Sequence, residues 1–387
     1  MKKIRDALYG EYITVEEDEL PVLDSPEVQR LRRVKQLGMS SLVYPTATHS
    51  RFAHSLGVMH LGGLFAEKLE LPEQERKAVR LAGLLHDVGH GPFSHASEEV
   101  FEDSPDHEEV SCQIVHRLDD RGILPVPAEE VIKYIQGTTK PSIIAGDIDA
   151  DRMDYLKRDS HFTGIPHGKI DTQTIIKSAE LRGDGQLVFH RRAIEALEQM
   201  LVSRKNMIGS VYKHPTAQIA EKMLQTAINN YQRTESEDFW EMDDYQLHTK
   251  LLESSGLSQT LYQRIINRDL YKTAFELRKR HLQDCSDLPE MNQSEIQEAI
   301  IESTGLESHK VFVEVSLPKP DKRFNIQIDT KDGIYPFEAI SGSGPLLTGQ
   351  AGDSLLVSVY APPEDIDIVN KCTTEYINES FDLKWEQ

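Results

Sequence analysis

Apolar residues recur at helical spacing through most of the first 300 positions. Ala78, Val79, Leu81, Ala82, Leu84 and Leu85 predict a core-facing helix over 73–85. Similar patterns predict helices over 51–69, 107–118, 128–136 and 141–146. Asp24-Ser25-Pro26-Glu27 is a helix start, with a capping residue and proline in the first turn, and Val28, Leu31, Val34 and Leu37 carry that helix on. Another helix begins at Ser94 and reaches Phe101. Two long stretches, 192–212 and 215–231, break near His214-Pro215, and Leu247/Leu251, Leu261/Ile265 and Ile296/Ile300 continue the helical period over 240–304. The period changes toward both ends of the chain. Tyr9 to Val15 is β-prone around a glycine turn, and Gly183 to Gln186 turns into a short strand at Leu187–His190. After His309, residues 310–317, 325–328 and 355–360 alternate or are β-branched, and a helical pattern covers 363–381. A mainly α protein is expected: a multi-helix core over 1–240 with short N-terminal strands, a helical extension over 241–305, and a small α+β C-terminal domain over 306–387.

Composition fits a globular protein and narrows its partners. The 387 residues carry a net charge of -21, which repels nucleic-acid backbones and anionic membranes, so nucleic acid is an unlikely partner. An anionic substrate would need a metal and clustered Arg or Lys. Cys112, Cys285 and Cys372 are scattered, without a CxxC, which argues for a reducing compartment. The N-terminus shows no apolar signal region and no run is long enough to span a membrane, so a cytoplasmic protein is expected. Ser341-Gly342-Ser343-Gly344-Pro345 lacks the lysine of a phosphate-binding loop and reads as a plain flexible loop.

The chemistry concentrates in His86-Asp87-Val88-Gly89-His90-Gly91-Pro92-Phe93-Ser94-His95. The helix before it is buried, and the glycines and proline turn the chain after it. His86 and Asp87 can both bind one divalent cation, although an isolated His-Asp pair often only ends a helix. His54 lies in the first turns of the 51–69 helix, with Arg51 one turn earlier on the same face. Asp151, Tyr155 and Asp159 recur every four residues and share a face, with Arg152 beside them. Arg30, Arg32, Arg33 and Lys35 form a basic cluster that is either a solvated face or an anion site. Two imidazoles and two carboxylates, His54, His86, Asp87 and Asp151, suit Mn, Fe, Zn, Co or Ni, and Mg less well. Such an ion acts as Lewis acid and water activator.

The order H…HD…D resembles the signature of the HD-domain metal-dependent phosphohydrolases. Gln29-Arg30-Leu31-Arg32, Lys35-Gln36-Leu37-Gly38, His49 to Gly57 and Asp151-Arg152-Met153-Asp154-Tyr155 are similar to the deoxynucleoside-triphosphate (dNTP) triphosphohydrolases of the SAM-and-HD-domain type, without the SAM domain. The resemblance is strong over about residues 1–230 and faint after 300. It implies an HD-domain core with one divalent metal ion per subunit on His54, His86, Asp87 and Asp151. It implies phosphate contacts from Arg51, Arg152 (often Lys in the family) and Tyr155, and sugar 3′-hydroxyl contacts from Gln36 and Asp159. Leu37 would sit under C2′, and His214 is kept from the substrate site. His95 and His107 would serve as proton donors or orienters, with Glu98 where the family has an aspartate. His90 would join them or support a ligand from behind. Water would attack the α-phosphorus, giving deoxynucleoside and triphosphate. An arginine expected for phosphate binding falls at Ser210, with Lys213 or Lys205 as substitutes. Asp24 and Arg32 match a guanine-reading pair of a nucleotide-activator site, and a homo-oligomer, dimer or tetramer, goes with it. Two alternatives stand beside this expectation: an HD phosphohydrolase for another phosphoester, such as a nucleoside monophosphate or cyclic nucleotide, and a nucleotide sensor without turnover.

Overall fold

The computed structural model describes residues 1–10, 12–98, 100, 105–231, 239–278, 291–316, 324–343 and 355–380. Cys285 and the Gly344-Pro345 end of the glycine-serine loop lie outside them. The fold is mainly α, as the hydrophobic period predicts.

The chain opens on an antiparallel hairpin of β1 (Lys2–Arg5) and β2 (Tyr12–Val15), with Gly10 at φ +70° in its turn. α1 (Leu20–Leu23) and α2 (Pro26–Arg30) follow, the latter capped by the Ser25 hydroxyl. The helix expected through Leu37 ends far sooner. After a 3-10 turn at Leu31–Arg33, Val34 is extended, and Arg51 N donates to Val34 O while Gln36 N donates to His49 O. These bonds across the chain satisfy the backbone that a longer helix would have paired locally.

α3 (Arg51–Lys68) and α4 (Glu73–Leu85) form the centre of the main core. They meet at Gly83, where an added Cβ would lie 2.7 Å from Met59 N and 2.8 Å from Met59 Cα. Backbone cannot step aside as a side-chain tip can. Gly83→Ala is therefore expected to destabilise the protein by about 1–3 kcal/mol through overpacking, read as a lower denaturation midpoint. An unchanged midpoint would mean that the two helices part freely.

α5 (His95–Glu98) is one turn, shorter than the helix expected over 94–101, of which Glu99 and Phe101 lie outside the described residues. α6 (His107–Asp120) and α7 (Ala128–Ile135) match their predicted spans. Residues 141–146 are bends, not the expected helix. The Asp149 carboxylate accepts from Gly146 N (2.9 Å) and Arg152 N (2.7 Å), so it caps α8 (Ala150–Thr163) and ties the preceding loop to that start. α9 (Thr172–Ser178), β3 (Ala179–Leu181), β4 (Leu187–His190) and α10 (Ile194–Met207) complete this side. α10 passes into a π-helical turn at Ile208–Tyr212 before α11 (Pro215–Asn229). α13 (Gly256–Ile266) packs on α11 and α12 (Asp244–Glu253) on α13, in a second cluster.

The C-terminal part departs from the expected boundaries. β5 (Lys272–Arg278) lies inside the stretch read as a helical extension, followed by α14 (Gln293–Thr304). β6 (Phe312–Val315), β7 (Gln327–Thr330), β8 (Gly333–Pro336), α15 (Phe337–Ile340), β9 (Leu355–Ala361) and α16 (Ile366–Ser380) follow. The three-stranded sheet runs β5-β9-β6, with α14 and α16 in its core. β7 and β8 leave it and extend β3-β4, with β7 parallel to β4 and Phe189 opposite Ile328. Ile326, Ile328 and Phe337 are buried in the main core. The described strands after residue 306 are thus divided between two sheets, because alternation marks a strand without naming its partner. No helix among the described residues is long and apolar enough to cross a membrane.

Candidate metal centre

The turn after α4 is fixed from three sides. His86 ends the helix, its N–H donating to Ala82 O. Ser111 of α6 donates to His86 O (2.7 Å) and accepts from Gly89 N (2.9 Å). Arg30, buried, donates to Val88 O (2.7 Å), His90 O (2.8 Å) and Met242 O (2.8 Å). The basic cluster accordingly acts residue by residue. Arg30 is a structural clamp, Arg33 binds Asp243, and Arg32 stacks over Phe52 at 3.6 Å and donates to Gln29.

α3, the turn and α8 bring the four expected donors together. His54 Nε2 lies 3.0 Å from Asp151 Oδ1 and 3.6 Å from Asp87 Oδ2. His86 Nε2 lies 3.3 Å from Asp87 Oδ1 and 3.6 Å from Asp151 Oδ1. Those separations suit neighbouring ligands of one ion with bonds of about 2.0–2.2 Å. The donors fit a divalent cation on two further observations. His86 Nε2 is buried without a hydrogen-bond partner, while its Nδ1 is taken by Gly83 O at 3.0 Å. Burial alone would strip His54 of its proton, yet Asp151 and Asp154 push its pKa up to about 10, so the site's negative charge attracts a positive one. Asp87, though buried, is held well below the carboxylate range by His86, Arg51 and His90. Arg51 donates to Asp87 Oδ2 (2.5 Å) and to Ser94 Oγ (2.6 Å).

A second cluster adjoins the first through His90, whose Nε2 is 3.4 Å from Asp87 Oδ1. Glu98 gathers three imidazoles, with Nδ1 of His90 at 2.7 Å, of His95 at 3.0 Å and of His107 at 3.0 Å. Neither His90 nor His107 makes a directional hydrogen bond to that carboxylate, so these are close polar contacts. The His90 and His107 rings stack at 3.9 Å, 10° apart. His95 stands at the rim with its side chain 70% exposed.

The remaining expected residues are spread around this centre. Tyr155 is one turn along α8 from Asp151, and burial with Asp151 beside it raises its pKa, so it stays a phenol. Asp159 is buried, accepts from Tyr212 (2.8 Å) and pairs with His49 Nε2 (2.8 Å). Gln36 Oε1 is buried without a partner, and Leu37 packs on the main core. Arg152 donates to Asp147 O (2.7 Å) and, with Asp149, Asp151, Gln186 and Asn325, lines a cavity of about 620 Å³. His214 caps α11, its Nδ1 accepting from Thr216 N. Asp24 pairs with Lys2 (3.5 Å), apart from the partners of Arg32.

Sequence reasoning noted Asp154 and His49 within motifs and Arg204 as positive charge, but gave none of them a role in the site. Asp154 and Arg158 lie one turn apart on α8, a spacing that could have flagged them. Ser210 holds its carbonyl to the Tyr44 hydroxyl within the π turn. On the preceding helix, Arg204 lies 5.4 Å over the Phe324 ring, and its charge favours the Tyr155 phenolate.

Residues 51–159 match the HD domain model and 170–384 the HD associated region model. An uncharacterised protein of Methanocaldococcus jannaschii is 34% identical over 95% of this chain and 80% of its own. A protein of Dictyostelium discoideum named deoxynucleoside triphosphate triphosphohydrolase SAMHD1 homolog is 33% identical over 68% of this chain, and the match spans about half (54%) of its length. The crystal structure of a phosphohydrolase from Bacteroides thetaiotaomicron superposes with a TM-score of 0.76 at 27% identity, covering 94% of this chain and 100% of that one. On these matches the chain belongs to the HD-domain metal-dependent phosphohydrolases.

Proposed function

We propose that this protein hydrolyses deoxynucleoside triphosphates to deoxynucleoside and triphosphate. The observation that carries the reading is the concentration of positive and proton-donating groups around one metal-ligand set: Arg51 against Asp87, Arg152 and Arg204 near Tyr155, and His107 on Glu98. A polyphosphate needs that much cationic support in a protein of this net charge. The name of the Dictyostelium relative supports the same substrate class.

His54, His86, Asp87 and Asp151 would hold the divalent ion, which when bound supplies Lewis acidity and lowers the pKa of a water. Arg51, Arg152, Arg204 and the Tyr155 hydroxyl bind and orient the phosphate chain. Arg204 provides the charge that Ser210 does not. Gln36, whose buried oxygen lacks a partner, and Asp159, fixed by His49 and Tyr212, receive the sugar hydroxyl over Leu37. His107, kept protonated by Glu98, gives its proton to the departing 5′-oxygen. His90 stays neutral and packs against it, and His95 closes the rim. A nucleotide activator at Asp24 and Arg32, within a homo-oligomeric dimer or tetramer, belongs to the same reading.

Incubating metal-loaded protein with each dNTP, with and without GTP, tests the reaction by its products. Deoxynucleoside plus triphosphate, absent with Asp87→Ala, is the expected result. Orthophosphate release, or turnover of only a monophosphate or cyclic nucleotide, would replace the proposal with another HD phosphoester reaction. Binding without turnover would make the protein a sensor. Gel filtration in the same buffers checks activation: GTP or dNTP should shift the elution volume.

A further inference from the structure

The face of His54 turned away from the other donors is closed by the chain's own N-terminus. Its Nδ1 lies 2.8 Å from Asp154 Oδ2. Asp154 has no solvent exposure. Arg158, one turn on, grips it with two bonds, Nε to Oδ2 (2.8 Å) and NH2 to Oδ1 (2.9 Å). The last donor comes from the β1–β2 turn: the Tyr9 hydroxyl donates to Asp154 Oδ1 in a very short contact. The same turn supplies Asp6, which accepts from Arg158 NH1 at 3.1 Å and, through its other oxygen, from Leu8 N at 2.8 Å. Gly57 leaves room for this carboxylate, since an added Cβ there would lie 1.8 Å from Asp154 Oδ1.

A neutral imidazole has one donor and one acceptor nitrogen, and the partner of one decides the state of the other. With Asp154 accepting at Nδ1, Nε2 is the nitrogen of His54 that gives its lone pair to an ion in place of a proton, on the side of Asp87 and Asp151. We propose that Asp6 and Tyr9 of the N-terminal hairpin are positioning residues for the metal centre: through Arg158 and Asp154 they fix the tautomer and orientation of His54. The inference rests on His54 being a metal ligand.

The geometry gives each residue a separate consequence. Without the Tyr9 hydroxyl, Asp154 loses one of four donors and can rotate, while the ring keeps its packing on His60 and under Lys157. Without the Asp6 charge, Arg158 loses its second anchor and holds Asp154 less firmly. Asp154→Asn removes the obligatory acceptor and admits the other tautomer of His54.

The test is metal affinity, measured with Co²⁺ by chelator competition, together with the visible ligand-field spectrum of the Co²⁺ protein. Tyr9→Phe should weaken binding roughly 10-fold and Asp154→Asn up to about 100-fold, the range found when the partner of a ligating histidine is removed. Asp6→Asn should fall between wild type and Asp154→Asn, and both Tyr9→Phe and Asp154→Asn should shift the spectrum. Tyr12→Phe, exposed on β2, should match wild type in both. Melting of the metal-free proteins separates this from general damage, because Tyr9→Phe should melt close to wild type. Wild-type affinity and spectrum in Tyr9→Phe and Asp6→Asn would overturn the inference and leave the metal site standing. A wild-type protein that binds no Co²⁺ would instead remove the reading beneath it.

Discussion

His86→Ala is expected to abolish hydrolysis while leaving the protein folded. Its Nε2 is buried, lacks a hydrogen-bond partner and faces Asp87 and Asp151, so the native fold without an ion gains little from it. Its Nδ1 contact to Gly83 O is one hydrogen bond at a helix end, and truncating the ring should cost about 1 kcal/mol. Loss of the ion removes several kcal/mol of transition-state stabilisation, a rate decrease of roughly 10³-fold or more. Asp87→Ala is the less informative variant. It strands the Arg51 guanidinium, whose side chain is 3% exposed, and removing one partner of such a buried pair costs about 3–5 kcal/mol. Inactivity there could reflect unfolding alone. Metal content per chain, melting temperature and turnover, measured together on His86→Ala, decide the matter. A variant that keeps its metal and its rate would exclude His86 from the ligand set.

The four proposed donors could be picked out in the sequence because each lies at or near the end of a helix that the sequence marks. His54 near the start of α3, His86-Asp87 at the end of α4 and Asp151 in the first turn of α8 could each be placed before any tertiary contact was known. What supports them was not legible. Asp154 reads as one more acid on an acidic helix until the β1–β2 turn, 145 residues earlier, is seen to donate to it. Arg30 reads as part of a basic cluster, either a solvated face or an anion site, although it is buried against the carbonyls of Val88 and His90. The hydrophobic period also misled where backbone bonds from distant segments won. Val34 and Leu37 keep helical spacing, but the chain at Val34 pairs with the loop before α3. Near the C-terminus, the sequence marked β6, β7 and β9 but not their partners, and β8 was not read as a strand, so the extension of β3 and β4 went unrecognised. Each failure has one cause: local pattern sets what a segment can be, and long-range pairing decides among the options.

Glu98→Gln is expected to lower kcat by about 100-fold near neutral pH and to move the alkaline limb of the rate profile downward. His90 and His107 stack face to face, so two adjacent positive charges are disfavoured. Burial and then Arg51 push the pKa of His90 down to about 3, and it stays neutral. His107 goes the other way. Burial lowers its pKa, but Glu98 and then Asp87 raise it above the ordinary imidazole value. Glu98 itself is held ionised by all three histidines despite burial. The pair therefore selects His107 as the proton carrier, and an active enzyme needs that proton when the 5′-oxygen leaves. With pH rising through the raised His107 pKa, the acid is lost and the rate falls. The stability that the charged pair contributes, full below the unfolded imidazole value of about 6.5, disappears over the same upward interval. In Glu98→Gln, burial and Arg51 act on His107 unopposed by that carboxylate, so its pKa and the limb should drop toward the ordinary value or below it. His107→Gln should lose about 10²–10⁴-fold below the His107 pKa, progressively less above it, and show no such limb. An aryl phosphodiester, whose phenolate departs without a proton, isolates the step: both variants should cleave it at close to the wild-type rate. Equal losses on the aryl ester and the dNTP would place Glu98 and His107 in substrate or metal positioning instead of proton transfer.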